Sequence, residues 1–126
     1  MPRVAALIAV VDDDPHVCKA LQRLLLSSGY AVQTHASGTQ LLERIAERMP
    51  NCIVLDLHMP DMSGLDVQTE LRRRGVDVPV VIITGHATSA AYSQAFVNGA
   101  SAYICKPIDA ADLLAAIHGA LQSSHA

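Results

Sequence analysis

Short, continuous runs of apolar residues alternate along this chain with longer stretches in which apolar residues recur every three or four positions. The runs cover residues 5–11, 52–56, 78–84 and 102–105, and a short segment of strand-forming residues covers residues 30–35. Apolar runs without polar alternation are typical of strands buried on both faces of a parallel sheet. The stretches between them have the spacing of helices with one buried face. The pattern therefore predicts five strands, each followed by a helix.

Local sequence signals indicate where the predicted helices begin and end. The first helix starts at Asp14, whose carboxylate can cap it, and stops at Gly29. The second starts after Ser37, which has capping-box spacing with Gln40, and is expected to extend to Met49. The other three helices are predicted over residues 64–74, over residues 88–98, and from residue 109 onward.

Five strand-then-helix units with short connections predict an α/β fold, in which a doubly wound, five-stranded parallel sheet carries helices on both faces. Right-handed crossovers favour the strand order 2-1-3-4-5, as in a flavodoxin-like (βα)5 fold. A closed barrel would need eight such units. The length of 126 residues suits one domain spanning residues 1–126.

Composition narrows the class of protein. Hydrophobic residues make up 51% of the chain and charged residues 17%, which indicates a folded domain and not a disordered one. No apolar run approaches the roughly 20 residues that cross a bilayer, and no signal-like segment opens the chain, so we expect a cytoplasmic protein without a membrane partner.

The charge and the cysteines point away from two further kinds of site. The net charge is −3, and the basic run at residues 72–74 ends a predicted helix, where cations complement the helix dipole, so we expect no direct nucleic-acid binding. The three cysteines lack metal-ligand spacing, and we expect buried, reduced thiols at Cys18, Cys52 and Cys105.

Polar side chains stand where four of the predicted strands end. Asp12 and Asp13 follow the first strand. Asp56 ends the third strand, Thr84 the fourth and Lys106 the fifth. In the order 2-1-3-4-5 these strands are neighbours, so their carboxyl ends meet at one edge of the sheet. Singly, the aspartates after the first strand could be a solvated helix start, Thr84 a strand end and Lys106 an exposed lysine. Asp56 is harder to explain in this way, because a carboxylate inside an apolar run works against burial.

Three carboxylates at one edge need compensating charge. Two carboxylates about 4 Å apart repel by about 4 kcal/mol at an effective dielectric constant of roughly 20. The cluster therefore predicts a hard divalent cation, Mg²⁺ or Mn²⁺. Beside such a cation, Lys106 can neutralise phosphoryl oxygens, the Thr84 hydroxyl can donate to one of them, and a free carboxylate can act as nucleophile. The predicted chemistry is phosphoryl transfer.

The acidic pair after the first strand, the segment DLHMPDMSG, the TGH sequence and the KP pair resemble the receiver domains of response regulators in two-component signalling. The resemblance covers essentially the whole chain. It implies that Asp56 is the phospho-acceptor and that Asp13 is a direct ligand of Mg²⁺, with Asp12 supporting the site. It also implies that the backbone carbonyl of His58 completes the protein's share of the coordination.

The same resemblance assigns switch residues. Lys106 would pair with the phosphoryl group, Thr84 would turn toward it, and the aromatic ring of Tyr103 would follow Thr84. The bond between Lys106 and Pro107 is expected to be cis, as is common in the family. The alternative for Tyr103 is a strand aromatic that packs on the last helix.

The resemblance further implies a signalling protein and not a classical enzyme, because such a protein would catalyse only its own phosphorylation and dephosphorylation. The phosphoryl donor would be a sensor histidine kinase. The face formed by the fourth helix, fifth strand and fifth helix would contact an output domain or target protein, and a homodimer is left open.

Two alternatives remain for the function. The DLHMPDMSG and TGH motifs are similar to those of regulators with a C-terminal helix-turn-helix domain. The chain can therefore be the N-terminal receiver of a DNA-binding transcriptional regulator. A receiver-like interaction module that is never phosphorylated would be expected to lack part of the Asp, Thr and Lys set, which is complete here.

Two histidines are candidates for a role in dephosphorylation. His58 and His86 each stand two residues after a predicted site residue, Asp56 and Thr84. There they would flank the path of an attacking water, so we hypothesise that they tune the lifetime of the phosphorylated form. The alternative is that both are surface histidines without a role.

Overall fold

The computed structural model describes residues 5–123, apart from the side chain of Ser123, and within them strands and helices alternate as predicted. The strands are β1 (Leu7–Val11), β2 (Ala31–His35), β3 (Cys52–Asp56), β4 (Val80–Thr84) and β5 (Ala102–Cys105). The helices are α1 (Pro15–Ser27), α2 (Gly38–Arg44), α3 (Gly64–Arg73), α4 (Ser89–Val97) and α5 (Ala110–Ser123). The predicted domain ends at residues 1 and 126 lie outside the described residues.

The five strands form one parallel sheet in the order β2-β1-β3-β4-β5, which confirms the predicted topology. Its register aligns the strand ends closely: Val11 lies opposite Leu55, and Thr84 lies opposite Cys105. Because neighbouring parallel strands run in the same direction, their carboxyl ends form a single edge. That edge is where the predicted site residues lie.

Helices cover both faces of the sheet and form two separate cores. Residues of α2, α3 and α4 pack on one face, and we call this cluster the α2–α4 core. Residues of α1 and α5 pack on the other face and form the α1–α5 core. Along β4, Val80 and Ile82 belong to the α2–α4 core, whereas Val81 and Ile83 belong to the α1–α5 core. Burial on both faces explains why the sequence of this strand is continuously apolar.

Two helices begin with the side-chain caps that their sequences favour. At α3, Ser63 and Asp66 form a reciprocal capping box. At α2, the Ser37 hydroxyl accepts a hydrogen bond from the backbone N–H of Gln40. The Gln40 side chain, however, accepts from the backbone N–H of Ala36 and not from that of Ser37. The predicted capping box of α2 is therefore shifted by one residue.

The prediction that α2 extends to Met49 is wrong. The helix ends at Arg44, and the Met49 side chain is 50% exposed. A tertiary contact explains the early end: the carbonyl of Leu42, which a longer helix would use internally, accepts a hydrogen bond from the Arg74 guanidinium at 2.9 Å. Residue Ile45 still packs into the α2–α4 core, so the chain keeps its apolar contact while leaving the helical path.

The prediction of three buried thiols is correct for one cysteine only. All three are free, but only Cys52 is buried; Cys18 is half-buried and Cys105 is exposed. Cys105 is the last residue of β5, which is an edge strand and has no further strand beside it. None of the helices in residues 5–123 combines the length and the apolar character that crossing a membrane would require.

One histidine is buried at the end of β2. His35 is 3% exposed, and its Nε2–H donates to the Gln33 side-chain oxygen at 2.5 Å. Its other ring nitrogen, Nδ1, is buried without a hydrogen-bond partner in the structure. Burial lowers the pKa of His35, and the positive charge of Arg44 lowers it further.

This buried imidazole predicts a pH-dependent loss of stability. In the unfolded chain His35 takes up a proton near its ordinary pKa of about 6.5. In the folded chain it takes up this proton only at a lower pH. The stability that depends on neutral His35 is therefore complete above that pH and is lost as the pH falls below it. We expect His35→Gln to reduce the pH dependence of the unfolding free energy between pH 7.5 and 5.5, measured by urea unfolding in EDTA. The reduction can be at most about 1.4 kcal/mol per pH unit, because one proton is involved.

The matched control is His118→Gln, because His118 is exposed on α5. This variant should retain the pH dependence of the wild type. Equal pH dependence in the wild type and in His35→Gln would contradict the prediction.

Candidate functional site

Three carboxylates meet at the carboxyl edge of the sheet, as the sequence predicts. Asp12, directly after β1, is 1% exposed, and Asp56, the last residue of β3, is 3% exposed. Asp13 is exposed beside them. One oxygen from each of the three carboxylates lies within 4.8 Å of the others. The neighbouring positions of β1 and β3 in the sheet bring these residues together.

Lys106 reaches the same point from the end of β5. Its Nζ donates to the Asp12 carboxylate at 3.0 Å and lies 3.6 Å from the Asp56 carboxylate. The peptide bond between Lys106 and Pro107 is cis, as expected. One ammonium against three carboxylates leaves two negative charges in excess, so the edge attracts a further cation.

The pKa values of Asp56 and Lys106 reflect this surplus of negative charge. Burial raises the pKa of Asp56, the charge of Asp12 raises it further, and the Lys106 ammonium opposes both effects. Burial tends to lower the pKa of Lys106, but the hydrogen bond to Asp12 and the charge of Asp56 outweigh it, so that the pKa of Lys106 is raised. The lysine therefore stays charged and keeps the ionised form of Asp56 accessible.

The loop after β3 folds back tightly over Asp56. The backbone N–H of His58 donates to a carboxylate oxygen of Asp56 at 3.3 Å. At the start of α3, a Cβ on Gly64 would lie 2.6 Å from the backbone oxygen of Asp56, closer than real Cβ contacts come. Glycine is therefore the residue that allows α3 to begin against the end of the strand. This close approach fixes the position of the Asp56 main chain.

Thr84 and Tyr103 lie next to each other on the side of the sheet that faces α4. Thr84 is fully buried, and its hydroxyl accepts a hydrogen bond from the backbone N–H of His86 at 3.1 Å. Within residues 5–123, the buried Tyr103 hydroxyl makes no hydrogen bond of regular geometry. Burial raises the pKa of Tyr103, Cys105 adds to this effect, and the nearby Thr84 hydroxyl opposes it. The two hydroxyl groups are thus close neighbours inside the domain.

The aromatic ring of Tyr103 packs on α4. Its centroid lies 5.1 Å from that of Tyr92, in an edge-to-face arrangement, and Tyr103 also packs against the α2–α4 core. Residues of α5, by contrast, belong to the core on the opposite face of the sheet. The alternative expectation, that Tyr103 packs on the last helix, is therefore wrong.

His58 and His86 face each other across the opening of the site. The Nε2–H of His58 donates to the backbone carbonyl of His86 at 3.1 Å, and the two ring centroids are 5.9 Å apart. Both side chains are exposed. Together with the three aspartates of the cluster, Asp14, Gly85 and Lys106, they line an open cleft of about 410 Å³.

The donor set in this cleft fits a hard divalent cation. Asp12, Asp13 and Asp56 offer only carboxylate oxygens, which Mg²⁺ prefers over nitrogen or sulfur donors. The open side of the cleft leaves room for the several waters that Mg²⁺ retains. A Mg²⁺ or Mn²⁺ ion would also compensate the two excess negative charges.

One neighbour of the site was not expected from the sequence. The thiol of Cys18, on α1, donates to the backbone carbonyl of Asp12 at 3.2 Å. Cys18 and Asp12 also line a second cavity of about 570 Å³ beside the acidic cluster, which extends to His35. A cysteine one turn into a helix has no sequence signature that marks such a contact. Only the packing of α1 on β1 reveals it.

Comparison with known proteins supports one family. Residues 8–118 match the family model of the response regulator receiver domain. The chain is 38% identical over 117 residues to the response regulator protein TmoT of Ectopseudomonas mendocina, covering 93% of this chain and 53% of that protein. It is also 38% identical over 117 residues to the transcriptional regulatory protein FixJ of Azorhizobium caulinodans, covering 93% and 56%. The chain thus spans about half the length of the curated relatives it matches.

The fold is also similar to a solved structure of the same kind. The crystal structure of a CheY-like response regulator receiver domain protein from Methanospirillum hungatei matches with a TM-score of 0.91 and 27% sequence identity, covering 97% of this chain and 98% of that one. The sheet order, the acidic edge with its lysine, and the family match over residues 8–118 agree. This chain belongs to the response regulator receiver domains of two-component signalling.

Proposed function

We propose that this domain accepts a phosphoryl group on Asp56 from the phosphohistidine of a sensor histidine kinase, in a reaction that depends on Mg²⁺ or Mn²⁺. The observation that carries the proposal is the placement of Asp56, buried at the sheet edge with the Lys106 ammonium 3.6 Å away and two further carboxylates beside it. A nucleophile, a fixed cation and a set of metal ligands at one point are what phosphoryl transfer requires.

In the proposed reaction a carboxylate oxygen of Asp56 attacks phosphorus. A bond forms between that oxygen and phosphorus, the bond from phosphorus to the kinase imidazole nitrogen breaks, and the electron pair leaves with the imidazole. Lys106 neutralises charge on the phosphoryl oxygens. Asp13, Asp56 and the His58 backbone carbonyl would hold the divalent cation, with Asp12 supporting the site, and the cation would supply further charge neutralisation when bound.

We propose that Thr84 and Tyr103 transmit the change to α4. A phosphoryl oxygen on Asp56 would attract the Thr84 hydroxyl, and any movement of Thr84 alters the space beside the Tyr103 hydroxyl. The Tyr103 ring contacts Tyr92 of α4, and Tyr92 is 51% exposed. Through this contact the phosphoryl group would alter the surface formed by α4, β5 and α5.

We propose that the α4–β5–α5 surface controls an output part that regulates transcription. The relative named a transcriptional regulatory protein is 38% identical to this chain, which covers 56% of its length. In such a regulator the α4–β5–α5 surface would contact the output part or a second receiver. A stand-alone receiver that binds a separate target protein is the second candidate. A receiver-like module that is never phosphorylated is the third, and the assembled acidic edge argues against it.

Phosphorylation of Asp56 can be tested directly. Incubation of the chain with acetyl phosphate and Mg²⁺ should add one phosphoryl group, detected by intact mass spectrometry. EDTA should prevent the addition, because the cation neutralises the phosphoryl oxygens. Asp56→Asn should abolish it, while the control Asp61→Asn should not, because Asp61 is exposed and bonds only to Thr39. Addition that survives Asp56→Asn would overturn the proposal, and the absence of any addition would favour the interaction module.

Lys106 should have opposite effects on metal binding and on phosphorylation. In Lys106→Met the carboxylates lose their ammonium, so Mg²⁺ should bind roughly tenfold more tightly, since repulsion between an ammonium and a divalent cation is on the order of 1 kcal/mol even when water screens it. Phosphorylation by acetyl phosphate should nevertheless slow by more than about tenfold, because the cation that stabilises the transferring group is gone. Calorimetry measures the first effect and mass spectrometry the second.

The chain's other lysine supplies the control. Lys19 is exposed on α1, and Lys19→Met should leave the rate of phosphorylation within about twofold of the wild type. If Lys106→Met weakened Mg²⁺ binding, the proposed charge balance at the sheet edge would be wrong.

His58 and His86 should affect the lifetime of the phosphorylated form. Because the ring of His58 bonds to the His86 carbonyl across the opening, we expect the two side chains to restrict the access of water. Replacing both with Ala should shorten the half-life of phosphorylated Asp56 by about threefold or more, measured by mass spectrometry after removal of acetyl phosphate. The control replaces His16 and His118, which are exposed elsewhere, and an unchanged half-life in the test variant would leave both histidines without a role.

A further inference from the structure

The C-terminal end of α4 is joined to α3 by two side chains. The Gln68 side chain is 2% exposed, and its Nε2 donates to the backbone carbonyl of Ala95 at 3.1 Å. One turn further along α3, the Arg72 guanidinium donates to the backbone carbonyl of Val97 at 3.2 Å. Both carbonyls belong to the last turn of α4, where carbonyls have no partner inside the helix. The Ala95 carbonyl also accepts from the backbone N–H of Ala100, just beyond the helix, at 2.9 Å.

The contact with α4 determines the orientation of the Gln68 amide. Its oxygen, Oε1, is buried and has no hydrogen-bond partner among the described residues, so the bond from Nε2 to Ala95 fixes which way the amide points. Reversing the amide would place Oε1 against the carbonyl oxygen of Ala95. A cavity of about 280 Å³, which Asn98 and Arg72 also line, lies beside Gln68 and leaves the amide room to move if this bond is lost.

The remainder of α4 is loosely held. Toward the N-terminal end, Tyr92 is 51% exposed and Ala91 is only partly buried against the α2–α4 core, whereas the buried residue of the helix, Ala95, lies at the other end. The capping hydroxyl of Thr88 accepts only from Ala91 of the same helix. Within the described residues, no side-chain hydrogen bond joins residues 88–92 to another element. The contact of this end with β5 is the edge-to-face pair of Tyr92 and Tyr103.

We propose that Gln68, assisted by Arg72, is a positioning residue that anchors the C-terminal end of α4, so that the helix pivots about Ala95. The N-terminal end, which follows the loop after Thr84, is then the end that moves. The trigger of this motion rests on the proposed phosphorylation of Asp56, but the anchor does not depend on it. A helix of nine residues is about 13 Å long, so a small rotation at Ala95 displaces Tyr92 and the loop beyond it.

The anchor is tested first without phosphorylation, by amide hydrogen exchange of the whole chain. Gln68→Met keeps the length of the buried side chain and removes its donor. We expect exchange at residues 98–100 to become about tenfold faster, because their amides bond to carbonyls of this helix end. The control is Gln94→Met, because the Gln94 amide bonds only to Asn98 at the same helix end and does not reach α3. This control should stay within twofold of the wild type.

The pivot is tested by adding acetyl phosphate and Mg²⁺ to the same proteins. In the wild type, exchange at residues 92–94 should change at least fivefold and exchange at residues 98–100 less than twofold. In Gln68→Met both ends should respond. Urea unfolding of each variant separates a local effect from a general loss of stability, which would accelerate exchange in every element alike.

The proposal is overturned if Gln68→Met leaves residues 98–100 within twofold of the wild type, or if it accelerates exchange equally in all strands and helices. It is also overturned if phosphorylation changes both ends of α4 equally in the wild type. The mass of each sample reports phosphorylation independently. A wild type that gains no phosphoryl group would refute the proposed function, and the comparison of the unphosphorylated variants would still decide whether Gln68 anchors α4.

Discussion

The ammonium of Lys106 lies between two buried carboxylates, those of Asp12 and Asp56, which stand at the ends of neighbouring strands. Two carboxylates at about 4 Å would repel by about 4 kcal/mol at an effective dielectric constant of roughly 20, a large amount for a domain of this size. The lysine comes from β5, so the compensation requires that β4 lie between β3 and β5 with its end in register. The charge balance of the site and the order of the sheet therefore depend on each other.

The features of the fold that sequence reasoning predicted are those that depend on burial alone. A strand covered on both faces must be apolar throughout, as residues 80–83 are, and five such strands separated by helical spacing leave few topologies. The end of α2 could not be predicted in this way, because it depends on a guanidinium from α3 that reaches the Leu42 carbonyl across 32 positions of sequence. The exposure of Cys105 depends likewise on the position of β5 at the sheet edge.

The residues in and around the candidate site likewise include some that the sequence predicts and some that it does not. Its acidic edge was predictable because each carboxylate interrupts or ends an apolar run, and the order of the strands then brings the carboxylates together. Gln68 carries no such signal, because a glutamine among the polar residues of a helix normally faces solvent. Here its side chain is buried and bonds to the carbonyl of Ala95, 27 positions further along the chain. His35 is similar, because its pKa is lowered by burial and by the charge of Arg44, and both follow from packing around β2.

The alternation of side chains along each strand separates two properties of this domain. Thr84 follows Val80 and Ile82 with the same parity on β4, and Tyr103 packs with them against the α2–α4 core. The α1–α5 core, on the far side of the sheet, contains neither residue. Substitutions of α1 residues in that second core, such as Leu21 and Leu25, would change the free energy of folding without contacting Thr84 or Tyr103. The stability of the domain can therefore change through α1 while the contacts of Thr84 and Tyr103 on the other face of the sheet are kept.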